Sequence, residues 1–136
     1  MKKIAILYLM VSLCACHNST TKDAAKSYQQ TKDELKQQET KDPKGFISIN
    51  GHSRKNLIGQ LVVTGTVTNN ATVAAFKDVD VQFMFYSKTG TLIEKDRETI
   101  YEDLAPGGFK HFKSKYFAPK GTDSVAFEIM GAKVSP

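Results

Sequence analysis

Few side chains in this 136-residue chain have chemistry to offer: two cysteines, Cys14 and Cys16, and three histidines, His17, His52 and His111. A structural zinc site asks for about four ligands. No two of the histidines stand at metal-ligand spacing, so neither a metal nor any other cofactor is expected. A Ser-His-Asp set can be written from Ser114, His111 and Asp103, but no Gly-x-Ser-x-Gly turn marks a strained, exposed nucleophile. Gly107-Gly108 precedes a strand pattern, not the helix that a phosphate cradle requires, and reads as a turn. These residues predict a protein that is not an enzyme, with no catalytic site. The cysteines stand apart from this scatter, because both fall within four residues, Leu13-Cys14-Ala15-Cys16, at the end of an apolar run.

Lys2 and Lys3 precede that run, which extends from Ile4 to Leu13 with Ser12 its one polar break. A short basic segment, an apolar segment and a small residue make a signal-peptide layout. At about ten residues the run is half the ~20 that cross a bilayer as a permanent helix, so processing is favoured over retention. Leu13-Cys14-Ala15-Cys16 resembles the lipobox of bacterial lipoproteins. The resemblance implies cleavage before Cys16, a diacylglyceryl thioether on its sulfur, and a chain held to a membrane facing the periplasm or the exterior. His17 follows the acceptor where aspartate would retain a lipoprotein at the inner membrane, so an outer-membrane site is compatible. The alternative is an ordinary secretory signal cut after Ala15, which would leave one free thiol, a liability in an oxidising compartment.

Loss of the first 15 residues leaves 121, enough for one ordinary domain and a tether. The chain carries 19 basic and 14 acidic residues. Without Lys2 and Lys3 the balance is +3, too mild to suggest nucleic acid, for which basic and aromatic residues should crowd one surface. From Cys16 to Gly45 the residues are mostly Lys, Gln, Thr, Asp and Glu and cannot bury a core. The spacing Ala24, Tyr28, Thr31, Leu35, Gln38 hints at a coiled-coil seam, and Thr31 with Glu34 at a capping box. Residues 16–45 are expected to form a lipid-anchored, flexible and partly helical tether, punctuated by Asp42-Pro43-Lys44-Gly45.

After Gly45 strict alternation takes over, the mark of half-buried strands. Phe46 to Asn50 reads as a short strand, Gly51 to Asn56 as a polar loop, and Leu57 to Thr68 as a long strand. Val79, Val81, Phe83 and Phe85 mark a central strand. Thr91 to Leu104 holds one or two strands whose charges suit an edge, and strands to Phe117 and from Thr122 to about Val134 complete residues 46–136. About seven strands without a helix among them predict an all-β, antiparallel, Ig-like sandwich. Leu61-x-Val63-x-Gly65-x-Val67-x-Asn69, the Val79–Tyr86 strand ending at Gly90, and Leu104-x-Pro106-Gly107 followed by Phe112 resemble FxLYD-type domains of bacterial envelope proteins. That resemblance, over Phe46 to Lys133, implies an immunoglobulin- or fibronectin-type sandwich common on lipoproteins, with no shared catalytic residues.

Phe109, His111, Lys113 and Lys115 alternate onto the outer face of one strand, a basic stripe ending in an aromatic. Its chemistry suits anionic headgroups or an acidic partner. Arg54 and Lys55, in the expected Gly51–Asn56 loop, are the second candidate contact. The sequence thus predicts a membrane-anchored envelope lipoprotein whose Ig-like domain meets a protein or cell-wall partner, with the Glu94–Glu98 strand or the Phe46 strand as edges open to β-addition. The alternative is a small ligand held between sandwich loops, for which Phe76 and Tyr101 are the only aromatics near loops.

Overall fold

The computed structural model describes residues 20–136, with side chains from residue 24 onward. The expected signal peptide and the expected acceptor Cys16 lie outside the described residues. The tether is a continuous helix, α1 (Thr20–Lys41), followed by a single helical turn, α2 (Pro43–Phe46). Ala, Lys, Gln and Glu, strong helix formers, supply most of α1. Pro43 ends it by pushing Asp42 out of helical backbone, to φ −134° and ψ 75°. Thr31 lies inside the helix and does not start it: its hydroxyl donates back to the Ser27 carbonyl at 3.0 Å. Every residue from Ala24 to Gln38 is exposed, so no face of α1 rests on the domain until Glu39.

The domain is a sandwich of two three-stranded antiparallel sheets. One has the order β1-β2-β5, from β1 (Ile47–Lys55), β2 (Leu61–Asn69) and β5 (Phe109–Tyr116). The other has the order β4-β3-β6, from β3 (Phe76–Ser87), β4 (Leu92–Ile100) and β6 (Thr122–Val134). Alternation places Val63 and Val67 of β2 and Val79, Val81, Phe83 and Phe85 of β3 inward, all buried. Phe83 is the pivot: its ring stands 5.0 Å from Tyr116 and meets Phe127 edge-on at 5.6 Å. As expected, β3 is central in its sheet, and β4 and β1 are edges.

The strands number six, not seven. The stretch after Ile100 adds a single bridge, Leu104 to Phe76, and no further strand. Tyr101, Glu102 and Asp103 are exposed there, and Pro106 has no N–H to continue a ladder. The expected Gly51–Asn56 loop is a second departure: β1 runs unbroken through Lys55, and the turn comes at Asn56–Gln60. The polar run misleads because His52 and Arg54 lie on the outer face, while Gly51 faces inward with no side chain. Gly65, paired with Gly51 on one side and Phe112 on the other, is glycine for a steric reason. A Cβ there would lie 2.5 Å from the Asn50 carbonyl oxygen and 2.6 Å from the Phe112 ring.

At the end of the sandwich that receives the tether, two polar side chains do the joining. Asn69, fully buried, donates to the carbonyls of Ala74, Leu104 and Ala105 at 2.9, 3.1 and 3.1 Å and accepts from the Ala71 N–H at 2.9 Å. This folds residues 71–74 into a loop whose amides point at one spot, a ready anion site. The Glu39 carboxylate fills it. One oxygen accepts from the Thr72 N–H at 2.8 Å and the Thr72 hydroxyl at 2.6 Å, and the other from the N–H groups of Val73 and Ala74 at 2.9 and 2.7 Å. Burial pushes the carboxyl pKa up, but the hydroxyl and the three amides outweigh it, so the pKa falls from 4.5 to about 2. A glutamate so near a helix C-terminus opposes the helix dipole; its position serves the domain rather than the helix.

Candidate functional site

Antiparallel register puts outward residues of β1, β2 and β5 into rows across the sheet: Ser48, Thr68, Phe109; Asn50, Thr66, His111; His52, Thr64, Lys113; and Arg54, Val62, Lys115. None of the three strands contains an aspartate or glutamate. The outer face is therefore neutral or cationic throughout. Lys113 and Lys115 lie about 7 Å apart along β5, and Arg54 stands two strands from Lys115, about 10 Å across. The opposite sheet differs sharply, with Asp78, Asp80, Glu94, Asp96, Glu98, Asp123 and Glu128 all in its strands.

Thr64 and Thr66 order the imidazoles on this face. The Thr66 hydroxyl lies 2.8 Å from His111 Nδ1, and the Thr64 hydroxyl 3.3 Å from His52 Nε2. Phe109 stacks edge-on against His111 at 5.4 Å and is 60% exposed, so its apolar surface remains free for contact. Between the two histidine rows, the backbone at Gly51, Gly65 and Phe112 floors a shallow depression of about 520 Å³.

Five of the six residues singled out from sequence, Arg54, Phe109, His111, Lys113 and Lys115, share this one face. Lys55 does not. It pairs with Leu61 on the inward side, and its ammonium donates to the Thr122 carbonyl at 3.0 Å, a brace between sheets. The expected two contact surfaces, a stripe and a loop, are thus one surface, because Arg54 belongs to a strand. The residues of the paper triad part ways: His111 faces outward, while Ser114 faces inward and donates to Glu98 at 2.9 Å. No metal-holding group of three His, Cys, Asp or Glu occurs among the described residues, and no helix among them is long and apolar enough to cross a membrane.

The edge beside the face is closed by Glu98 of β4, which reaches across the sandwich to accept from Ser114 and from the Tyr116 hydroxyl. Burial, and next the Glu98 carboxylate, push the Tyr116 phenol well above its ordinary range. It stays the proton donor. This clasp ties the strand that carries Lys113 and Lys115 to β4 of the other sheet. Sequence reasoning missed Glu98, Asn69 and Glu39 as partners, because each acts on a residue at least 16 positions away or on loop amides. The fold and its face define a small all-β sandwich with one acid-free sheet surface. Comparison with protein-family models, curated proteins and solved structures finds no match.

Proposed function

We propose that the chain is a non-enzymatic lipoprotein of a bacterial cell envelope, anchored through lipid on Cys16, whose Ig-like domain binds an acidic protein or cell-wall partner on the β1-β2-β5 face. The observation that carries this reading is the absence of any carboxylate from the strands of that sheet, with Arg54, Lys113 and Lys115 outward at one end of it and Phe109 outward at the other end of β5. Such a face attracts anionic partners, speeds their encounter and repels cationic competitors. The FxLYD-type and lipobox resemblances agree with an envelope protein but name no partner. A small ligand held by loops is the weaker alternative, because the depression at the histidine rows lies on an open sheet face and not between loops.

Two variants test the halves separately. Cys16→Ala is expected to abolish labelling of the protein by a fatty-acid analogue fed to producing cells, and labelling that persists would remove the anchor from the account. Lys113→Glu with Lys115→Glu, both at exposed positions, is expected to leave the fold intact and weaken partner capture by roughly tenfold or more at low salt. Unchanged capture, or capture insensitive to salt, would remove the face.

A further inference from the structure

The end of the sandwich away from the tether has a different composition from the end that receives it. Antiparallel strands bring three connections together there: the Asn56–Gln60 turn, the Ser87–Thr91 turn, and residues 117–121. Lys55 bonds to Thr122, Ser87 pairs with Thr122, and a Cβ on Gly121 would touch Ile93, so the three connections adjoin. Leu57 is fully exposed, Ile58 is 74% exposed and Phe117 is 81% exposed, with Leu92 and Ile93 partly exposed behind them. Five of the domain's large exposed apolar side chains gather at this end.

The apolar pair is held out rigidly. Asn56 Oδ1 accepts from the N–H groups of Ile58 and Gln60 at 3.1 and 2.9 Å, and Asn56 Nδ2 donates to Gln60 Oε1 at 3.1 Å. Gly59, at φ +79°, supplies the left-handed step that lets the chain turn back. A turn braced this way, with its two largest side chains in water, gains nothing for the fold from leucine or isoleucine. Around it stand Arg54 and Lys115, with Lys120 and Lys88 on the two adjoining connections. The carboxylates nearest this end are Glu94 and Asp123, so the collar is cationic on balance.

From these placements we infer that this end of the sandwich is a lipid-docking site: Leu57 and Ile58 enter an anionic bilayer surface while the surrounding lysines and arginine meet headgroup phosphates. Apolar side chains buried in the headgroup boundary together with basic residues above them make the combination that binds anionic lipid surfaces. The site lies the length of β2, about 30 Å, from the loop that receives Glu39. It is therefore distinct from the anchor and does not depend on Cys16 being acylated.

The chain contains no tryptophan, which makes a direct test simple. The full chain as isolated from producing cells is placed in neutral phosphatidylcholine, carrying either Ile58→Trp or, at the tether end, Tyr101→Trp. Vesicles containing roughly one-third phosphatidylglycerol with brominated acyl chains are then added. Quenching of the indole at position 58, at least about tenfold stronger than at position 101 and lost when the added vesicles are neutral, is the expected result. Leu57→Ser with Ile58→Ser, both without core contacts, should abolish binding of the added vesicles while leaving the thermal transition unchanged. Equal quenching at the two positions, no quenching at position 58, or binding undiminished in the serine variant would each overturn the inference, and would leave the β1-β2-β5 face untouched.

Discussion

Asn69→Ala is expected to lower the stability of the domain by about 3 kcal/mol, and its melting temperature by about 15 °C. The side chain has two hydrogens and shares them among the carbonyls of Ala74, Leu104 and Ala105, while its oxygen takes the Ala71 N–H. Alanine leaves the Ala74 carbonyl and the Ala71 N–H without partners, while the Leu104 and Ala105 carbonyls keep only the N–H groups of Phe76 and Gly108, and an orphaned buried polar group costs about 1–3 kcal/mol. Asn69→Asp separates shape from hydrogen bonding. It keeps the size and the acceptor for Ala71 but turns a carboxylate toward three carbonyl oxygens, so it should destabilise at least as much as alanine. A thermal melt in which either variant matches the wild type would show that the loop is held by something other than Asn69.

Glu39→Gln is expected to release α1 from the domain, with a cost of about 2 kcal/mol, or roughly a thirtyfold rise in the undocked population. The pKa difference between 4.5 and about 2 corresponds to about 3 kcal/mol, and solvent beside an otherwise exposed helix reduces it. Because the docked carboxyl has the lower pKa, docking is fully stabilised above pH 4.5 and loses that stabilisation as the pH falls from 4.5 toward about 2. The amide resonances of Thr72, Val73 and Ala74 report it directly. In the wild type they should shift with a midpoint near pH 2; in the glutamine variant they should stay near the acid-state positions at every pH. Titration of these amides at an ordinary carboxyl pKa would mean that Glu39 does not fill the loop. Undocked, α1 is a lone polar helix of 22 residues without the tertiary contact from which helices in proteins draw most of their stability, so its helicity should fall along with the contact.

Alternation carried most of the fold. Val79, Val81, Phe83 and Phe85 announce a strand with one buried face whatever lies around them, and Phe109 to Tyr116 divide into an outward basic row and an inward row by period alone. What alternation does not reveal is pairing. That Arg54 stands in line with Lys115 depends on the registers of β1 with β2 and of β2 with β5. Arg54 also hides in a run of Gly, His and Ser that carries no apolar signal, because its outward neighbours are polar and the inward ones, Gly51, Ser53 and Lys55, are not apolar either. The single-chain pattern accordingly gave a stripe and a loop where the folded chain has one face.

The polar joints were less legible still. Glu39 is one acid in a stretch of Lys, Gln, Thr and Glu, and nothing local distinguishes it from Glu34, which is exposed. Asn69 followed by Asn70 reads as a turn, and a turn does follow, but burial of the first side chain among three carbonyls comes from Leu104 and Ala105 arriving from 35 positions away. The flexible, partly helical tether expected from composition is continuous helix from Thr20 to Lys41 because the same Lys, Gln and Glu residues that exclude a core are good helix formers. Together, the helix and the Glu39 joint turn the spacer into a strut with a fixed attachment point on the sandwich.

The most direct test of the binding face is photocrosslinking in intact producing cells from two outward positions, one on each sheet. A photoreactive residue at His111 lies on the outer side of β5, in the row of Asn50 and Thr66, and one at Ala126 lies outward on β6, opposite Met84 of β3. Reproducible crosslinks to an acidic protein or cell-wall species from position 111, weakened by Lys113→Glu with Lys115→Glu and absent from position 126, are the predicted result. Crosslinks from position 126 alone, or crosslinks from position 111 that persist after both charges are reversed, would contradict the account.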